Sequence, residues 1–365
     1  MSHSETAIEG FEASAYRIPT DGPESDGTLE WDSTTVVLVQ VRAANVTGLG
    51  FSYASESTTV LIREKLRPLV LGFDALDTHK VWHQMVRSIR NLGRPGISSM
   101  AIAAVDIALW DLKARLLRLP LVKLLGQVRP EISAYASGGF TSYTIERLQQ
   151  QVADWAKSGF RSVKMKIGRQ PEQDLSRVKA ARDQLGPDIQ LFVDANGAYS
   201  CKQAIAQAKV FAEYGVTWFE EPVTSDDLAG LRQIREQVPA PMKVAAGEYG
   251  YDLAYFRRML EATAVDVLQA DATRCAGITG FMQAAVLCDA FQIPLSAHTA
   301  PSVHQHPCCA AERACNVEYF YDHYRIEHML FDGAAKPLDG LLRPDLSRFG
   351  LGLDFKREDA AKYAL

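Results

Sequence analysis

From residue 131 onward, the chain repeats a strand followed by a helix at a nearly constant interval. Eight short apolar segments start 23 to 30 residues apart, with helical patterns between them. This rhythm is typical of a barrel of eight parallel strands. A doubly wound sheet is the alternative, but the glycine-rich dinucleotide turn is missing, since no third glycine follows Gly48 and Gly50. The predicted strands are Ile132–Ala136, Ser162–Ile167, Ile189–Val193, Thr217–Phe219, Met242–Ala246, Val265–Ala270, Ile293–Ala297 and Val317–Phe320.

The first 127 residues are organised differently. Two β-rich stretches joined by a loop come first and three helical patterns follow, which describes a small α+β domain. The tail, 331–365, is rich in glycine, proline and leucine, and we expect it to wrap back onto another surface. The sequence therefore predicts an α+β domain over 1–127 and a barrel over 128–330. The β-rich stretches are Glu12–Ile18 and Thr34–Val41, and the helical patterns are Thr58–Leu71, Thr78–Ile89 and Ser98–Leu117.

Composition and charge exclude several classes of protein. The 365 residues contain 39 Lys and Arg against 44 Asp and Glu, a net charge of −5, whereas a nucleic-acid binder has a basic excess. No apolar run approaches the roughly 20 residues of a membrane span, and no signal peptide is visible. Six scattered cysteines without CxxC spacing indicate reduced thiols. We expect a soluble, cytoplasmic protein that binds neither nucleic acid nor membrane.

Acidic and imidazole side chains stand where five consecutive predicted strands end, and these ends share one rim of a parallel barrel. A single acid there usually caps the next helix, but several converging acids repel one another unless a cation neutralises them. Asp194, Glu220 and Glu248 offer three hard oxygen ligands, which favours Mg²⁺ over Zn²⁺. Glu221 follows Glu220, and strand alternation predicts that it points elsewhere, as a helix-start acid or a support of the site. The strand-end residues are Asp194, Glu220, Glu248, Asp271 and His298, and the eighth strand carries Glu318.

Two lysines, Lys164 and Lys166, lie two residues apart on the second predicted barrel strand and point to the same face. If that face is the barrel interior, like-charge repulsion and burial lower the lysine pKa, and such a lysine serves as a general base near neutral pH. A solvated strand face with two ordinary lysines is the alternative. The apolar residues beside them, and their position one unit before the carboxylates, favour the catalytic interpretation.

A histidine and an acid end neighbouring predicted strands. Asp271 can hold one ring nitrogen of His298 and leave the other free for proton transfer. The alternative is that His298 is a structural histidine, buried in the core with its hydrogen bonds satisfied. Glu318 can donate a hydrogen bond to a substrate if it is protonated. His304 and His306, six and eight residues further along, compete with His298 for the same role.

Eight segments carry a resemblance to a known family: AIAAVDIALWDLKAR (101–115), KMK (164–166), VDAN (193–196), FEEP (219–222), AAGE (245–248), ADATRCAGIT (270–279), AHTAPS (297–302) and VEYF (317–320). In this order they resemble the mandelate racemase-like branch of the enolase superfamily, over nearly the whole chain. The resemblance implies a modified (β/α)₇β TIM barrel and an N-terminal α+β capping domain completed by the C-terminal tail. Ala270 and Ala276 depart from the expected proline and glycine, which affects local geometry only.

The resemblance also implies a reaction, the removal of a proton α to a carboxylate, with Mg²⁺ stabilising the enediolate. Dehydration of a sugar acid is the favoured outcome. Racemisation, epimerisation or lactone cycloisomerisation is the alternative, and a non-catalytic binding barrel is a distant one. The implied partners are a small carboxylate substrate and further copies of the chain. The implied roles are Mg²⁺ ligands for Asp194, Glu220 and Glu248, one acid/base for Lys166 with Lys164 lowering its pKa, the other acid/base for His298 with Asp271, and a hydrogen bond to the substrate carboxylate for Glu318.

The region between the first two strands of a capping domain is expected to close over the far end of the substrate. Between Ile18 and Val41 it contains acidic residues and no Lys or Arg. A second carboxylate on the substrate would be repelled by these acids and would find no cation in this region to pair with. We therefore expect an aldonate rather than an aldarate. A solvated loop is the alternative, and Arg94, Arg169 or Arg274 can also supply the missing charge. The acids are Asp21, Glu24, Asp26, Glu30 and Asp32.

Overall fold

The structure, a computed structural model, describes residues 5–365 and opens with a three-stranded antiparallel sheet. Its strands are β1 (Gly10–Ser25), β2 (Glu30–Ala43) and β3 (Val46–Tyr53). The prediction of a loop between the first two strands is wrong. Its residues form a continuation of the β1–β2 hairpin, in which pairing shifts register between Pro19 and Glu24 and then resumes. The polar, turn-rich composition of this segment concealed its extended backbone.

Helices cover one face of this sheet. The predicted helix from Thr58 is α-helical only at its start and continues as a π turn and a 3₁₀ turn, because Pro68 cannot donate a backbone hydrogen bond. No helix within residues 5–365 is both long and apolar enough to cross a membrane. The helices are α1 (Ser57–Leu61), α2 (Thr78–Ser88), the almost fully buried α3 (Ile97–Leu116) and the short α4 (Leu121–Leu125).

Eight parallel strands close into a barrel, which confirms the predicted fold class. Each strand pairs with the next in sequence, and the last pairs with the first. Seven helices connect the eight strands, and another follows the last. The strands are β4 (Ile132–Gly138), β5 (Ser162–Lys166), β6 (Gln190–Asp194), β7 (Val216–Glu220), β8 (Lys243–Ala246), β9 (Val267–Ala270), β10 (Leu295–Ala297) and β11 (Ala314–Phe320). The helices are α5 (Ile145–Lys157), α6 (Pro171–Leu185), α7 (Cys201–Glu213), α8 (Leu228–Gln237), α9 (Leu253–Glu261), α10 (Gly277–Phe291), α11 (Pro301–Ala310) and α12 (Tyr321–Leu330).

The C-terminal tail runs back to the N-terminal part of the chain. The Leu351 amide donates to Asp111 of α3 at 2.6 Å, and the Leu365 amide donates to the Ala15 carbonyl of β1 at 3.0 Å. The domain limits at residues 127 and 330 stay predictions. The tail contains β12 (Phe331–Asp332), β13 (Leu341–Leu342), which pairs with β4, β14 (Asp354–Phe355), and α13 (Arg357–Ala360).

One buried carboxyl group joins α3 to the barrel. Asp106 accepts hydrogen bonds from the amide and the hydroxyl of Thr279, at 2.9 and 2.8 Å, at the start of α10. Gly277 has a φ of +95°, and a Cβ there would lie 2.2 Å from an Asp106 carboxylate oxygen. The preceding Ala276 also has a left-handed φ of +65°. This junction therefore depends on a glycine at 277.

Gly277→Ala is expected to lower the free energy of unfolding by about 3 kcal/mol or more, since it combines a left-handed backbone with a clash against Asp106. The matched control is Gly72→Ala, because Gly72 has a φ of +81° and no atom within 4 Å of the added Cβ. That variant is expected to lose about 1 kcal/mol. Urea unfolding of both variants measures the difference, and equal losses would contradict the close approach.

Candidate active site

Three carboxylates meet at the carboxyl-terminal rim of the barrel. Asp194 ends β6, Glu220 ends β7, and Glu248 follows β8 by two residues. All three are buried, and one oxygen from each lies within 4.8 Å of the others, so the group is able to hold a metal ion. Oε2 of Glu248 is buried without a hydrogen-bond partner. A buried oxygen of this kind and an all-carboxylate donor set fit a hard divalent cation.

Lys164, on β5, is completely buried among the acids. Its ammonium contacts Glu220 and lies 2.9 Å from Glu318 and 3.4 Å from Asp194. Burial disfavours the charged form, but these carboxylates outweigh it and hold the pKa of Lys164 well above its ordinary value. The charged lysine therefore binds three strands of the rim together.

Lys166 faces the same interior, as its spacing from Lys164 predicts. Its ammonium donates to Asp194 at 2.6 Å. Lys164 lowers the pKa of Lys166 as predicted, but it does not decide the direction of the shift. Burial is the largest influence and also lowers this pKa, but the charges of Asp194, Glu248 and Glu318 together outweigh both and hold the pKa above its ordinary value. The spacing of the two lysines predicts their mutual repulsion, whereas the attraction of Asp194 comes from the neighbouring strand β6.

His298 and Asp271 form the predicted pair at the ends of β10 and β9. The ring Nδ1 lies 2.9 Å from Oδ2 of Asp271, whose other oxygen accepts from the amide and hydroxyl of Thr273. Burial opposes ionisation of Asp271, but the hydrogen bond and charge of His298 hold its pKa below the ordinary value. An ionised Asp271 keeps the proton on Nδ1, so Nε2 faces the rim, 3.3 Å from Glu248.

Glu318, on β11, is ionised, which corrects the expectation that it donates a hydrogen bond. Burial raises the pKa of Glu318, but the charges of Lys164 and then His298 outweigh burial and lower the pKa to about 2. One oxygen lies 2.9 Å from the Lys164 ammonium, and the other accepts from the Thr299 amide at 3.1 Å. An ionised carboxylate only accepts hydrogen bonds, so Glu318 is suited to a hydroxyl rather than to a carboxylate of a ligand.

Glu221 is buried and interacts electrostatically with the triad, which favours the predicted supporting role over a helix-start acid. It follows the last residue of β7, and its φ of +36° ends the alternation of the strand. Its side chain is buried, and Oε1 has no hydrogen-bond partner. Burial and then the charges of Glu248 and Asp194 raise the pKa of Glu221 well above its ordinary value. A supporting position beside the triad fits these observations better than a helix-start acid.

The two competing histidines are occupied elsewhere. In His304, Nε2 accepts from the Ala272 amide at 2.8 Å and Nδ1 donates to the Thr299 carbonyl at 2.7 Å. Both ring nitrogens are therefore committed to the backbone. His306 is buried and donates to the Leu351 carbonyl of the tail at 3.1 Å. Neither histidine lines the cavity at the rim of the barrel.

A cavity of about 660 Å³ lies between the rim and the N-terminal sheet. Lys166, Glu248, His298 and Glu318 form its floor, and strands β1 to β3 cover it. Sequence reasoning missed the residues that the cover and α12 contribute, because the periodicity of a strand or helix does not show which face meets the barrel. The missed residues include Arg17, Trp31, Thr34, Tyr53 and His323.

The acids of the β1–β2 hairpin do not form an acidic lining. Of the five, Asp26 alone lines the cavity, and its Oδ1 accepts from the Thr28 and Leu29 amides at 2.7 Å each. The expectation that these acids face the substrate is therefore wrong for the other four, because the hairpin turns their carboxylates to other partners. Asp21 pairs with Arg147, Glu24 is buried and accepts from Trp31, Glu30 pairs with Arg169, and Asp32 accepts from Ser33.

Comparison with known families identifies the class of protein. The N-terminal domain model of mandelate racemase and muconate lactonizing enzyme matches residues 24–126, and the enolase C-terminal domain-like model matches 147–360. The chain therefore belongs to the mandelate racemase/muconate lactonizing enzyme family of the enolase superfamily, which confirms the resemblance in its motifs.

Three proteins are similar to this chain over nearly its whole length. A mandelate racemase/muconate lactonizing enzyme-like protein from Rubrobacter xylanophilus is 50% identical, with a TM-score of 0.96 and coverage of 98% of this chain and all of the other. A 3,6-anhydro-alpha-L-galactonate cycloisomerase from Streptomyces coelicolor is 32% identical, covering 96% of this chain and 98% of the relative. L-talarate/galactarate dehydratase from Salmonella typhimurium, solved with Mg and L-lyxarohydroxamate, is 27% identical, with a TM-score of 0.90 and coverage of 98% and 93%.

The two histidines His298 and His304 are expected to differ in their effect on stability. His304→Leu leaves the Ala272 amide and the Thr299 carbonyl without partners in the core, and should lower the free energy of unfolding by about 3 kcal/mol. His298→Asn lies at the cavity and should change it by less than about 1 kcal/mol. Urea unfolding measures both values. A similar loss in the two variants would contradict the separation of structural and site histidines.

Proposed function

We propose that this protein is an enzyme that removes the proton α to the carboxylate of a sugar acid and then eliminates water. The observation that carries the proposal is the convergence of Lys166 and the His298–Asp271 pair on one covered cavity, beside the acid triad. These groups project from β5 and β10, which lie three strands apart around the closed barrel. Two acid/base groups therefore reach one ligand from different sides.

Asp194, Glu220 and Glu248 are the proposed ligands of one Mg²⁺ ion. Their close oxygens and the buried Oε2 of Glu248, which accepts no hydrogen bond from the described residues, support this assignment, and so does the relative solved with Mg. When bound, Mg²⁺ supplies positive charge that stabilises the charge developing on the substrate carboxylate.

Lys166 and His298 are the proposed acid/base residues. The Lys166 Nζ takes the α proton in the first step in its uncharged form, which would be accessible once the Asp194 charge that raises its pKa is balanced by the bound cation. Asp271 holds Nδ1 of His298 so that Nε2 exchanges protons with the ligand. In the dehydration, the proton from Nε2 goes to the β-hydroxyl as it leaves as water. Glu318 accepts a hydrogen bond from a substrate hydroxyl while it also holds Lys164 in place.

A lactone cycloisomerase is the second candidate. It uses the same α-proton removal, and the Streptomyces coelicolor cycloisomerase, 32% identical over 361 residues, supports it. In this reaction the second acid/base group protonates or deprotonates carbon or a ring oxygen instead of assisting the loss of water. The racemase or epimerase reaction differs in returning a proton to the opposite face of the α carbon.

We propose that the substrate is a monoacid, an aldonate, rather than an aldarate. The reason is not an acidic cover but the pairing of the cations in the cavity. The cationic side chains that line the cavity are each near a carboxylate. Arg17 lies 3.9 Å from Glu56, Arg274 lies 3.3 Å from Glu248, and Lys166 contacts Asp194. A second carboxylate at the far end of the substrate must therefore compete for a cation that already has a partner, and this competition opposes its binding.

A screen of acid sugars with Mg²⁺ tests the proposal. We expect 2-keto product from an aldonate, a higher kcat/KM for it than for any aldarate, and loss of product after chelation that added Mg²⁺ reverses. A higher kcat/KM for an aldarate would contradict the preference, and lactone or epimer interconversion without dehydration would select the second reaction. Full turnover after exhaustive chelation would contradict the metal site.

Proton exchange in D₂O is expected to separate the two acid/base groups. His298→Asn should abolish dehydration and keep Lys166-dependent exchange of the α proton with one substrate epimer. Lys166→Ala should show the reverse preference, because the groups approach from different sides. The exposed controls His83→Asn and Lys179→Ala should keep both activities. Identical exchange by the two site variants with both epimers would rule out the opposed arrangement.

A further inference from the structure

His323 is a cavity residue with no part in the chemistry described above. It lies in the first turn of α12, directly after β11, and so stands on the same rim as the acid/base groups. Its ring stacks on Tyr53, with centroids 3.4 Å apart and planes 13° apart, and meets the edge of Phe320 at 5.0 Å. Two aromatic side chains therefore fix the orientation of the imidazole.

No group within residues 5–365 forms a hydrogen bond with the ring nitrogens of His323. The residue is 8% exposed, and Nδ1 is buried without a hydrogen-bond partner. In contrast, His304 commits both of its nitrogens to the backbone. An unpaired buried polar group costs about 1–3 kcal/mol, which an apolar ring of the same shape at this position would avoid. Stacking alone thus does not account for a histidine here.

We propose that His323 determines substrate specificity by hydrogen-bonding a hydroxyl group of the sugar acid, on the side of the cavity that carries His298. This inference rests on the proposed function and refines its substrate class. β11, which leads into His323, pairs with β10, which leads into His298. Because the His323 ring also stacks on Tyr53 of β3, in the cover of the cavity, the hydroxyl belongs to a carbon beyond the reacting pair, toward that cover.

The chemistry of the ring favours a hydroxyl over a second carboxylate. Burial, and then the neighbouring His298, lower the pKa of His323 well below its ordinary value. A neutral imidazole has one N–H donor and one acceptor nitrogen, and a hydroxyl group offers the matching acceptor and donor. A carboxylate offers acceptors only, so it would leave the acceptor nitrogen without a partner.

His323→Phe tests the proposal, since it keeps an aromatic ring against Tyr53 and removes both nitrogens. Calorimetry in Mg²⁺ and a Lys166→Ala background measures Kd for a six-carbon aldonate and for its analogues that lack the hydroxyl at C4, C5 or C6. We expect His323→Phe to raise Kd for the aldonate about tenfold, the loss of one hydrogen bond. For one deoxy analogue, Kd should be the same with either residue. Equal ratios for all four ligands, or no change for the aldonate, would overturn the proposal.

Two further variants separate binding from a structural role. His323→Gln keeps a donor and an acceptor, and should recover part of the affinity. His328→Phe, on the same helix but outside the cavity, should leave every Kd unchanged. Urea unfolding should find His323→Phe at least as stable as the native chain, because no protein hydrogen bond is lost. A large loss of stability in this variant would indicate a structural histidine and contradict the assignment.

The outcomes also distinguish this inference from the proposed function. If no acid gives product or α-proton exchange while the Kd pattern holds, the proposed reaction fails and the assignment of His323 stands. If product forms and the Kd pattern is absent, His323 alone is wrongly assigned. If the protein binds none of the four ligands, the substrate class is wrong for both.

Discussion

The arrangement of the rim depends on the mutual attraction of buried charges. Lys164 contacts or approaches carboxylates from β6, β7 and β11, although none of these side chains reaches bulk water. Ions removed from water are stable only when partners compensate them closely. Three cations, Lys164, Lys166 and Arg274, face six buried carboxyl groups, so acidic groups are in excess. Burial and then this crowding hold the pKa values of Glu220 and Glu221 well above the ordinary value. The excess explains both the raised pKa of Lys166 and the suitability of the triad for a divalent cation. The carboxyl groups are Asp194, Glu220, Glu221, Glu248, Asp271 and Glu318.

Much of this rim was predictable because a parallel barrel converts sequence spacing into position. Once the strand–helix repeat is recognised, residues at successive strand ends must meet, as Asp194, Glu220 and Glu248 do. The pairing of His298 with Asp271 followed from the same rule. Alternation along a strand also placed Lys164 and Lys166 on one face. These are local or periodic rules, and they do not require knowledge of distant contacts.

The wrong expectations involved contacts between parts of the chain that periodicity does not connect. The protonation of Glu318 depends on Lys164, some 150 residues earlier and one strand past the barrel closure. The acids of the β1–β2 hairpin were assigned to the cavity from composition, whereas partners such as Arg147 and Arg169 come from the barrel. Charge state and side-chain direction therefore needed the tertiary structure.

Because the tail returns to β1, the cover of the cavity is completed late in folding. Strand β1, which covers the cavity, is synthesised before the barrel, but its contacts with the tail join residues far apart in sequence. Glu12 and Arg357, for example, are 345 residues apart. Such contacts form late, because the loop between them closes only when the whole chain is present. The cover of the cavity is therefore complete only after the barrel beneath it has been made. A nascent chain interrupted before its last residues has all the acids of the rim and lacks the C-terminal contacts of the strand that shields them.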